Sequence, residues 1–300
     1  MRKCQVGGQA VLEGVMMRGA KGMATAVRTP NKNIEVDFKE ITPLTKKNKF
    51  FSLPIVRGFI GLLDSLVEGT RCLKFSASFF EDEEEPSKFE KWFSEKFGDK
   101  SEKIIMTITF IISFICAVGL FVILPTIVTS FFKRFGLGVV SLNIIEGIIR
   151  VAILLLYMFI IGKMDDINRL YQYHGAEHKT IFCYENELDL TVENVKKFKR
   201  FHPRCGTNFL FLVMIVSIFV FSFTGWTSIP QRILSRILLI PIVSGITYEI
   251  IRWIGKSDGI FARIIAAPGL KLQNLTTKEP DDDQIEVAIA ALKSAEGIND

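Results

Sequence analysis

Long apolar runs without a charged residue mark the middle of this 300-residue chain. Residues 104–132 contain no charge over 29 positions, and residues 205–231 contain none over 27. The hydrocarbon core of a bilayer is crossed by about 20 apolar helical residues. The pattern therefore predicts two transmembrane helices, from about Ile104 to Val128 and from about Phe209 to Trp226.

Two further apolar segments contain charges. Val139–Ile161 contains Glu146 and Arg150, and Ile233–Ile254 contains Arg236, Glu249 and Arg252. Glu146 and Arg150 are four residues apart, so their side chains share one helix face and can form an ion pair. We expect both segments to be membrane helices, with this pair as a structural contact inside the bundle.

The distribution of basic residues supports four transmembrane helices. Residues 1–103 contain 18 Lys and Arg, residues 163–208 contain eight, and residues 255–300 contain five. Four helices place these three segments on one side of the membrane, the cytoplasmic side by the positive-inside rule. We therefore expect a mainly α integral membrane protein with both termini in the cytoplasm.

The N-terminal residues have the pattern of β-structure. Thr25–Arg28 and Ile34–Phe38 flank a polar turn at Thr29–Asn33, and the second arm alternates apolar and charged residues, which predicts a hairpin. Upstream, Gly7–Gly19 is predicted to be a strand flanked by glycines, which permit tight turns or close backbone approach.

Two helices are predicted outside the membrane. Pro54–Phe80 has an apolar face that lies in the membrane interface or packs beneath the bundle. At the C-terminus, Pro280 and three Asp residues precede the apolar stripe of an amphipathic helix. Its positions are Ile285, Ala288, Ile289 and Leu292.

Seven segments follow from these patterns. They are a β-rich segment (1–50), an interfacial helix (51–80), an acidic linker and pre-membrane helix (81–103), a first transmembrane pair (104–162), a cytoplasmic metal-site segment (163–208), a second transmembrane pair (209–254) and a cytoplasmic C-terminal segment (255–300). The soluble pieces have apolar faces too small to be stable alone, so we expect them to pack together around the His-containing segment.

Composition excludes several classes of protein. The charge-free runs exclude an ordinary soluble enzyme and a disordered protein. A net charge of +5 over 300 residues does not indicate the basic surface that nucleic-acid binding requires, so we expect no nucleic acid as a partner. The apolar runs instead predict the lipid bilayer as a partner. The five scattered cysteines favour a reducing compartment or metal ligation over a disulfide framework.

All three histidines of the chain lie within 29 residues of one segment. On a helix, His174 and His178 are four residues apart and face the same way, so that both can bind one metal ion. Glu177 lies three residues after His174. The order H-x-x-E-H is the inverse of the metalloprotease H-E-x-x-H, in which the histidines bind Zn²⁺ and the glutamate takes a proton from water.

A second pair of candidate ligands follows in His202-Pro203-Arg204-Cys205-Gly206. A His and a Cys separated by two residues and followed by Gly have the form of a zinc knuckle. We therefore predict a Zn²⁺ site formed by His174, His178, His202 and Cys205. Four protein ligands describe a structural site, whereas a catalytic site keeps one position open. The site is open if His202 or Cys205 does not bind, or if Glu249 supplies the third ligand.

These motifs resemble the bacterial YqhQ-like membrane protein family. The resemblance extends from near residue 4 to near residue 293. The strings that carry it are His174–Lys179, His202–Gly206, Gly7–Gly14, Leu275–Asp282 and Ile285–Leu292. The family is uncharacterised and is described as a predicted metal-dependent enzyme. The resemblance therefore implies a metal site at the His, Glu and Cys positions of the two motifs.

Two functions remain open at this point. The first is a zinc-dependent hydrolase of peptidase-like type at the cytoplasmic membrane surface, with Glu177 as the catalytic base. The second is a non-catalytic membrane scaffold or transport-associated protein with a structural zinc site. A channel or transporter is less favoured, because the apolar segments contain few charges at mid-depth and only Pro125 and Pro241 as helix breakers.

Overall fold

A computed structural model describes residues 6–80, 92–93, 96–98, 101–203, 205–224, 228–255, 257 and 259–298. The predicted acidic linker at 81–86 lies outside these residues. The chain forms two compact units. The first unit comprises Met1–Phe80, Leu156–Val216 and Ile240–Asp300, and the second comprises Glu81–Leu155 and Ser217–Leu239.

The described structure is mainly helical with a small N-terminal sheet. The strands are β1 (Gly7–Val11), β2 (Gly14–Arg18), β3 (Met23–Arg28) and β4 (Ile34–Lys39). The α-helices are α1 (Leu44–Lys47), α2 (Val56–Ala77), α3 (Ser101–Val118), α4 (Leu124–Ser130), α5 (Val139–Ile161), α6 (Asp165–Glu185), α7 (Val192–Lys196), α8 (Gly206–Ser222), α9 (Ile229–Ile254), α10 (Ile260–Thr276) and α11 (Asp282–Glu296).

The four strands form one antiparallel sheet in the order β1-β2-β3-β4. The predicted hairpin is confirmed, because β3 pairs with β4 and Arg28 lies opposite Ile34. The prediction of a single strand across Gly7–Gly19 is wrong. The chain reverses at Leu12 and Glu13, and Glu13 has a positive φ of 48°. A turn with Glu in this conformation has no common sequence signature, since Gly or Asn usually occupies it.

The C-terminal helix α11 supplies much of the core of the first unit. The four predicted positions of its apolar stripe are buried, and they pack in one cluster with β2, β3 and α6. A capping box begins the helix, in which Asp281 accepts from the N–H of Gln284 and the Gln284 side chain accepts from the N–H of Asp281. The predicted packing of the N-terminal strands and this helix around the His-containing segment is confirmed. The predicted helix at Pro54–Phe80 packs on the sheet in a separate cluster around Cys72, and a position beneath the bundle stays a prediction.

Helix α2 packs through small residues rather than through its apolar stripe. Its buried positions include Gly58 and Gly69, whereas Leu66 and Val67 are exposed. A Cβ at Gly58 would lie 2.6 Å from the Cβ of Tyr248, and a Cβ at Gly69 would lie 2.6 Å from the Gln9 side chain. The glycines therefore let α9 and β1 approach α2 closely, and this packing leaves the apolar stripe uncovered.

Three helices in the described part of the chain are long and apolar enough to cross a membrane. They are Ile104–Phe135, Val139–Ile161 and Pro230–Ile254. Helix α8 contains no charged residue but has 17 residues, which span about 25 Å at 1.5 Å per residue. The structure thus supports a membrane protein of mainly α class, and a fourth crossing by α8 stays a prediction.

Glu146 joins two arginines inside the second unit. Its carboxylate accepts from Arg150 at 2.9 Å and from Arg236 at 2.6 Å, and Thr126 donates to it at 3.1 Å. All four side chains are buried. The predicted Glu146–Arg150 ion pair is therefore present, and Arg236 extends it to a three-residue network.

A helix break supplies a further acceptor for Arg150. Proline has no backbone N–H, so Pro125 cannot donate to the carbonyl of Phe121, four residues earlier. The backbone widens to a π-helix at Gly119–Ile123, and the Phe121 carbonyl accepts from Arg150 Nε at 2.9 Å. Arg150 Nε thus donates to a carbonyl that Pro125 cannot bond.

We predict that Glu146→Gln lowers the free energy of unfolding by about 3 kcal/mol or more, because it leaves two buried guanidinium groups without their carboxylate. The measurement is chemical unfolding of the purified protein in detergent. The control is Lys133→Gln at an exposed site of the same unit, which should change stability by less than about 0.5 kcal/mol. Equal stability of the Glu146→Gln variant and the wild type would contradict the prediction.

A candidate metal centre

Helix α6 places the two histidines of the H-x-x-E-H motif side by side. It runs from Asp165 to Glu185, as predicted for this segment, and two Asp residues in its first turn complement the helix dipole. The ring centroids of His174 and His178 are 4.4 Å apart. Both imidazoles therefore face one side of the helix and approach the same volume.

Backbone carbonyls orient both imidazole rings. His174 Nδ1 lies 2.8 Å from the carbonyl oxygen of Thr276, the last residue of α10, and His178 Nδ1 lies 2.5 Å from that of Arg200. A carbonyl oxygen only accepts, so each Nδ1 carries the proton, and in a neutral ring Nε2 then presents a lone pair. Metal-binding histidines are typically held in this way.

Cys205 completes the group from the residue before α8. Its sulfur lies 3.1 Å from His174 Nε2. The backbone N–H of Thr207 donates to the same sulfur at 3.4 Å, and the Thr207 hydroxyl lies 3.0 Å from it. The first turn of α8 therefore surrounds the sulfur with hydrogen-bonding groups.

Three possible ligand atoms converge at this place. One atom each from His174, His178 and Cys205 lies within 4.8 Å of the other two. His178 Nε2 is buried and has no hydrogen-bond partner among the described residues. Two imidazole nitrogens and a thiol are ligands that zinc prefers, and the buried lone pair of His178 Nε2 fits a role as one of them. The residues present therefore fit a zinc ion.

His202 lies beside this group but outside it. Its ring centroid is 5.7 Å from that of His178 and 4.6 Å from that of Phe182, and its Nε2 lies 3.5 Å from Glu185 Oε2. Burial lowers the pKa of His202 to about 4, so the ring is neutral at physiological pH. Its role as a fourth ligand stays a prediction.

Glu177 projects from α6 toward the sheet. Its side chain is buried, and the backbone N–H of Gly8 in β1 faces its carboxylate. Burial raises the pKa of Glu177, while His174 and His202 act in the opposite direction. The carboxylate lies outside the group of three converging atoms, and the histidines that act on it are His174 and His202.

Glu249, the other candidate ligand, is engaged elsewhere. Arg57 of α2 forms a bidentate ion pair with it, with Arg57 Nε 2.6 Å from Glu249 Oε1. Arg252 lies three residues after Glu249 on the same helix, at a spacing that also permits an ion pair. The structure instead uses Glu249 to tie α2 to α9.

The glycine of the H-G-A-E-H string has a packing role. The chain between α10 and α11 crosses α6 at Gly175, where a Cβ would collide with the Lys278 carbonyl oxygen. Lys278 N–H donates to the carbonyl of Tyr171 at 2.8 Å. Beyond the crossing, Glu279 pairs with Lys179 at 2.6 Å. The motif at 275–282 thus lies directly on the histidine helix.

Several residues that hold the site were not predicted from the sequence. Gln273 is fully buried and bonds both backbone groups of His202, with 2.8 Å to its N–H and 2.8 Å to its carbonyl. The signal available was a polar residue on the apolar face of α10. That helix itself was not predicted, because Pro268 and Gly269 interrupt its pattern.

We predict that Gly8→Ala destabilises the site by about 1–3 kcal/mol, because its Cβ would lie 2.6 Å from the Met16 oxygen and 2.9 Å from Glu177 Cδ. Gly7→Ala is the matched control, since a Cβ at Gly7 meets nothing within 4 Å. Unfolding of both variants in detergent makes the comparison. Equal effects of the two substitutions would show that β1 does not press on Glu177.

Comparison with known proteins identifies relatives without an assigned activity. The family model described as "Protein of unknown function (DUF1385)" matches residues 53–297. The chain is 34% identical over 286 residues to the "Uncharacterized protein YqhQ" of Bacillus subtilis (strain 168), and the match covers 94% of this chain and 89% of that protein. No solved structure matches the chain. The resemblance drawn from the motifs is confirmed, and the chain belongs to the DUF1385 family of YqhQ-like proteins.

Proposed function

We propose that the protein is a zinc-dependent hydrolase of peptidase-like type that acts at the cytoplasmic face of the bacterial inner membrane. The observation that carries the proposal is the convergence of His174, His178 and Cys205. Three protein ligands leave one tetrahedral position for a substrate or water, which is the arrangement of catalytic zinc sites. A bound zinc ion supplies Lewis acidity at that position.

The residues around the three ligands have separate tasks in this proposal. Thr276 and Arg200 hold the imidazoles through their carbonyl oxygens, so that both Nε2 atoms stay aimed at the ion. The Glu177 carboxylate accepts the proton that the attacking water loses and returns it to the leaving group. Gly8 orients this carboxylate through its N–H. A buried carboxylate is suited to such proton transfer.

The alternative is a membrane scaffold or transport-associated protein with a structural zinc ion. One observation favours it: the His202 ring packs within 5.7 Å of His178, so a small rotation would bring a fourth ligand toward the ion. Four N and S ligands form a closed site without a place for substrate. In that case Glu177 holds ligand imidazoles in place and moves no proton.

Zinc content separates these two versions. We predict that purified wild type contains one zinc per chain by elemental analysis, and that His174→Ala and His178→Ala contain none. His202→Gln retains zinc if three ligands suffice and loses it if His202 is the fourth ligand. The zinc-loaded Glu177→Gln variant should retain the metal. Its rate of hydrolysis of a quenched-fluorescence peptide library should be lower than that of wild type by a factor of about 100 or more, because the substitution removes the base.

Other results would contradict the proposal in distinct ways. Wild type that stays free of zinc after supplementation rejects both the hydrolase and the scaffold. The hydrolase is rejected if zinc-loaded wild type cleaves no peptide, or if the Glu177→Gln variant is as active as wild type. Either result favours the scaffold with a structural zinc ion.

The location at the cytoplasmic face rests on four membrane crossings, with α8 as the third. The supporting observation is the clustering of 18, eight and five basic residues on three segments.

We predict that reporter fusions after residues 100, 185 and 295 report the cytoplasm and that a fusion at 136 reports the exterior. An exterior signal at residue 185 would place the metal centre on the other side of the membrane.

A further inference from the structure

The first unit contains a cavity of about 880 Å³ that the proposed chemistry does not use. Its walls are the β2–β3 connection, the first half of α2, the beginning of α8 and Tyr248 of α9. This volume lies within the range of small-molecule sites in proteins, about 300–1,000 Å³. Gly206, the residue after Cys205, lines it, so the cavity extends to the neighbourhood of the metal centre.

The acidic groups that line the cavity are largely occupied. Glu296 accepts from the Ala20 N–H at 2.8 Å through one oxygen and from the Tyr184 hydroxyl at 2.7 Å through the other. Asp64 is mostly buried and faces Arg18. The carboxylates therefore have little capacity to bind a cation in this cavity.

The basic groups keep unused donors. The Arg18–Asp64 distance is 3.8 Å, which is beyond a hydrogen bond. Lys21 forms no ion pair with a described residue, and its stem lies against Gly297. Arg57 uses Nε and Nη2 for Glu249, which leaves Nη1 without a bond to a described residue. With Glu249 counted as the partner of Arg57, three cations stand beside three acids, and the basic side chains keep donors without a bond to a described residue, which favours an anionic ligand.

Another part of the cavity wall is apolar and is formed by helices α8, α9 and α2. Phe209 lies in the uncharged helix α8, and Tyr248 lies within the last two turns of the candidate span Pro230–Ile254. Leu62 of α2 adds to this wall. A ligand with a charged group at the basic side and an apolar part beside the membrane helices matches both surfaces.

We propose that this cavity binds a phosphate group, as carried by an anionic phospholipid or by free phosphate, through Lys21, Arg18 and Arg57. Arginine and lysine together are the side chains that proteins use for phosphate.

The test uses the full chain in a neutral detergent and titration calorimetry with three probes. They are dioctanoyl phosphatidylglycerol, dioctanoyl phosphatidylcholine and sodium phosphate. Phosphatidylglycerol should bind saturably and about tenfold more tightly than the zwitterionic phosphatidylcholine, because the choline cation opposes the basic side of the cavity. Tight binding of sodium phosphate identifies the free anion as the occupant, and weak binding identifies the lipid; both results support the phosphate site.

A pair of matched variants ties the binding to the cavity. Lys21→Gln should weaken phosphatidylglycerol binding about tenfold, whereas Lys74→Gln, an exposed lysine of α2 outside the cavity, should leave it unchanged. Both variants should melt at the wild-type temperature, since both side chains are exposed. Equal loss in both variants, or equal binding of the two lipids, overturns the proposal.

Zinc measured in the same preparations separates this inference from the proposed function. Zinc-loaded protein that shows no preference for phosphatidylglycerol rejects the phosphate site alone. Protein that binds phosphatidylglycerol through Lys21 but never contains zinc keeps the phosphate site and rejects the metal-dependent hydrolase.

Discussion

The crossing of the 276–280 segment over Gly175 is the contact on which the first unit depends. It brings the Thr276 carbonyl, left without a helical partner at the end of α10, to the Nδ1 atom of His174. It also directs the chain into α11, which packs on the sheet and on α6. The sheet in turn presses Gly8 against Glu177. One close backbone approach therefore connects the core, the histidine helix and the candidate metal centre.

The two units satisfy their buried polar groups in different ways. In the first unit, backbone carbonyls and the Gln273 amide orient neutral rings and loops. In the second unit, one carboxylate is shared by two guanidinium groups, and the Phe121 carbonyl, to which Pro125 cannot donate, is an additional acceptor. The first arrangement leaves nitrogen lone pairs available for ligation, whereas the second uses its groups for internal cohesion.

Elements with a local signal were predictable from the sequence. Residue periodicity and helix-start residues predict such elements directly. The examples are α11 with its apolar stripe and acidic start, the hairpin β3–β4, and the helix that contains His174 and His178. The β1–β2 turn was missed because Glu13 has a positive φ, a conformation that glutamate rarely adopts. The packing side of α2 was missed because glycines that permit close approach carry no hydrophobic signal.

The sequence by itself determined the set of candidate ligands, because all three histidines and Cys205 lie in one segment with spacings that can share an ion. Only the tertiary structure decided which of them meet. Cys205 joins His174 and His178, while Gln273, 71 residues away along the chain, holds the backbone of His202 where its ring faces Phe182 and Glu185. The physical reason is that the imidazole orientation depends on hydrogen bonds to residues distant in sequence, and helix periodicity contains no information about them.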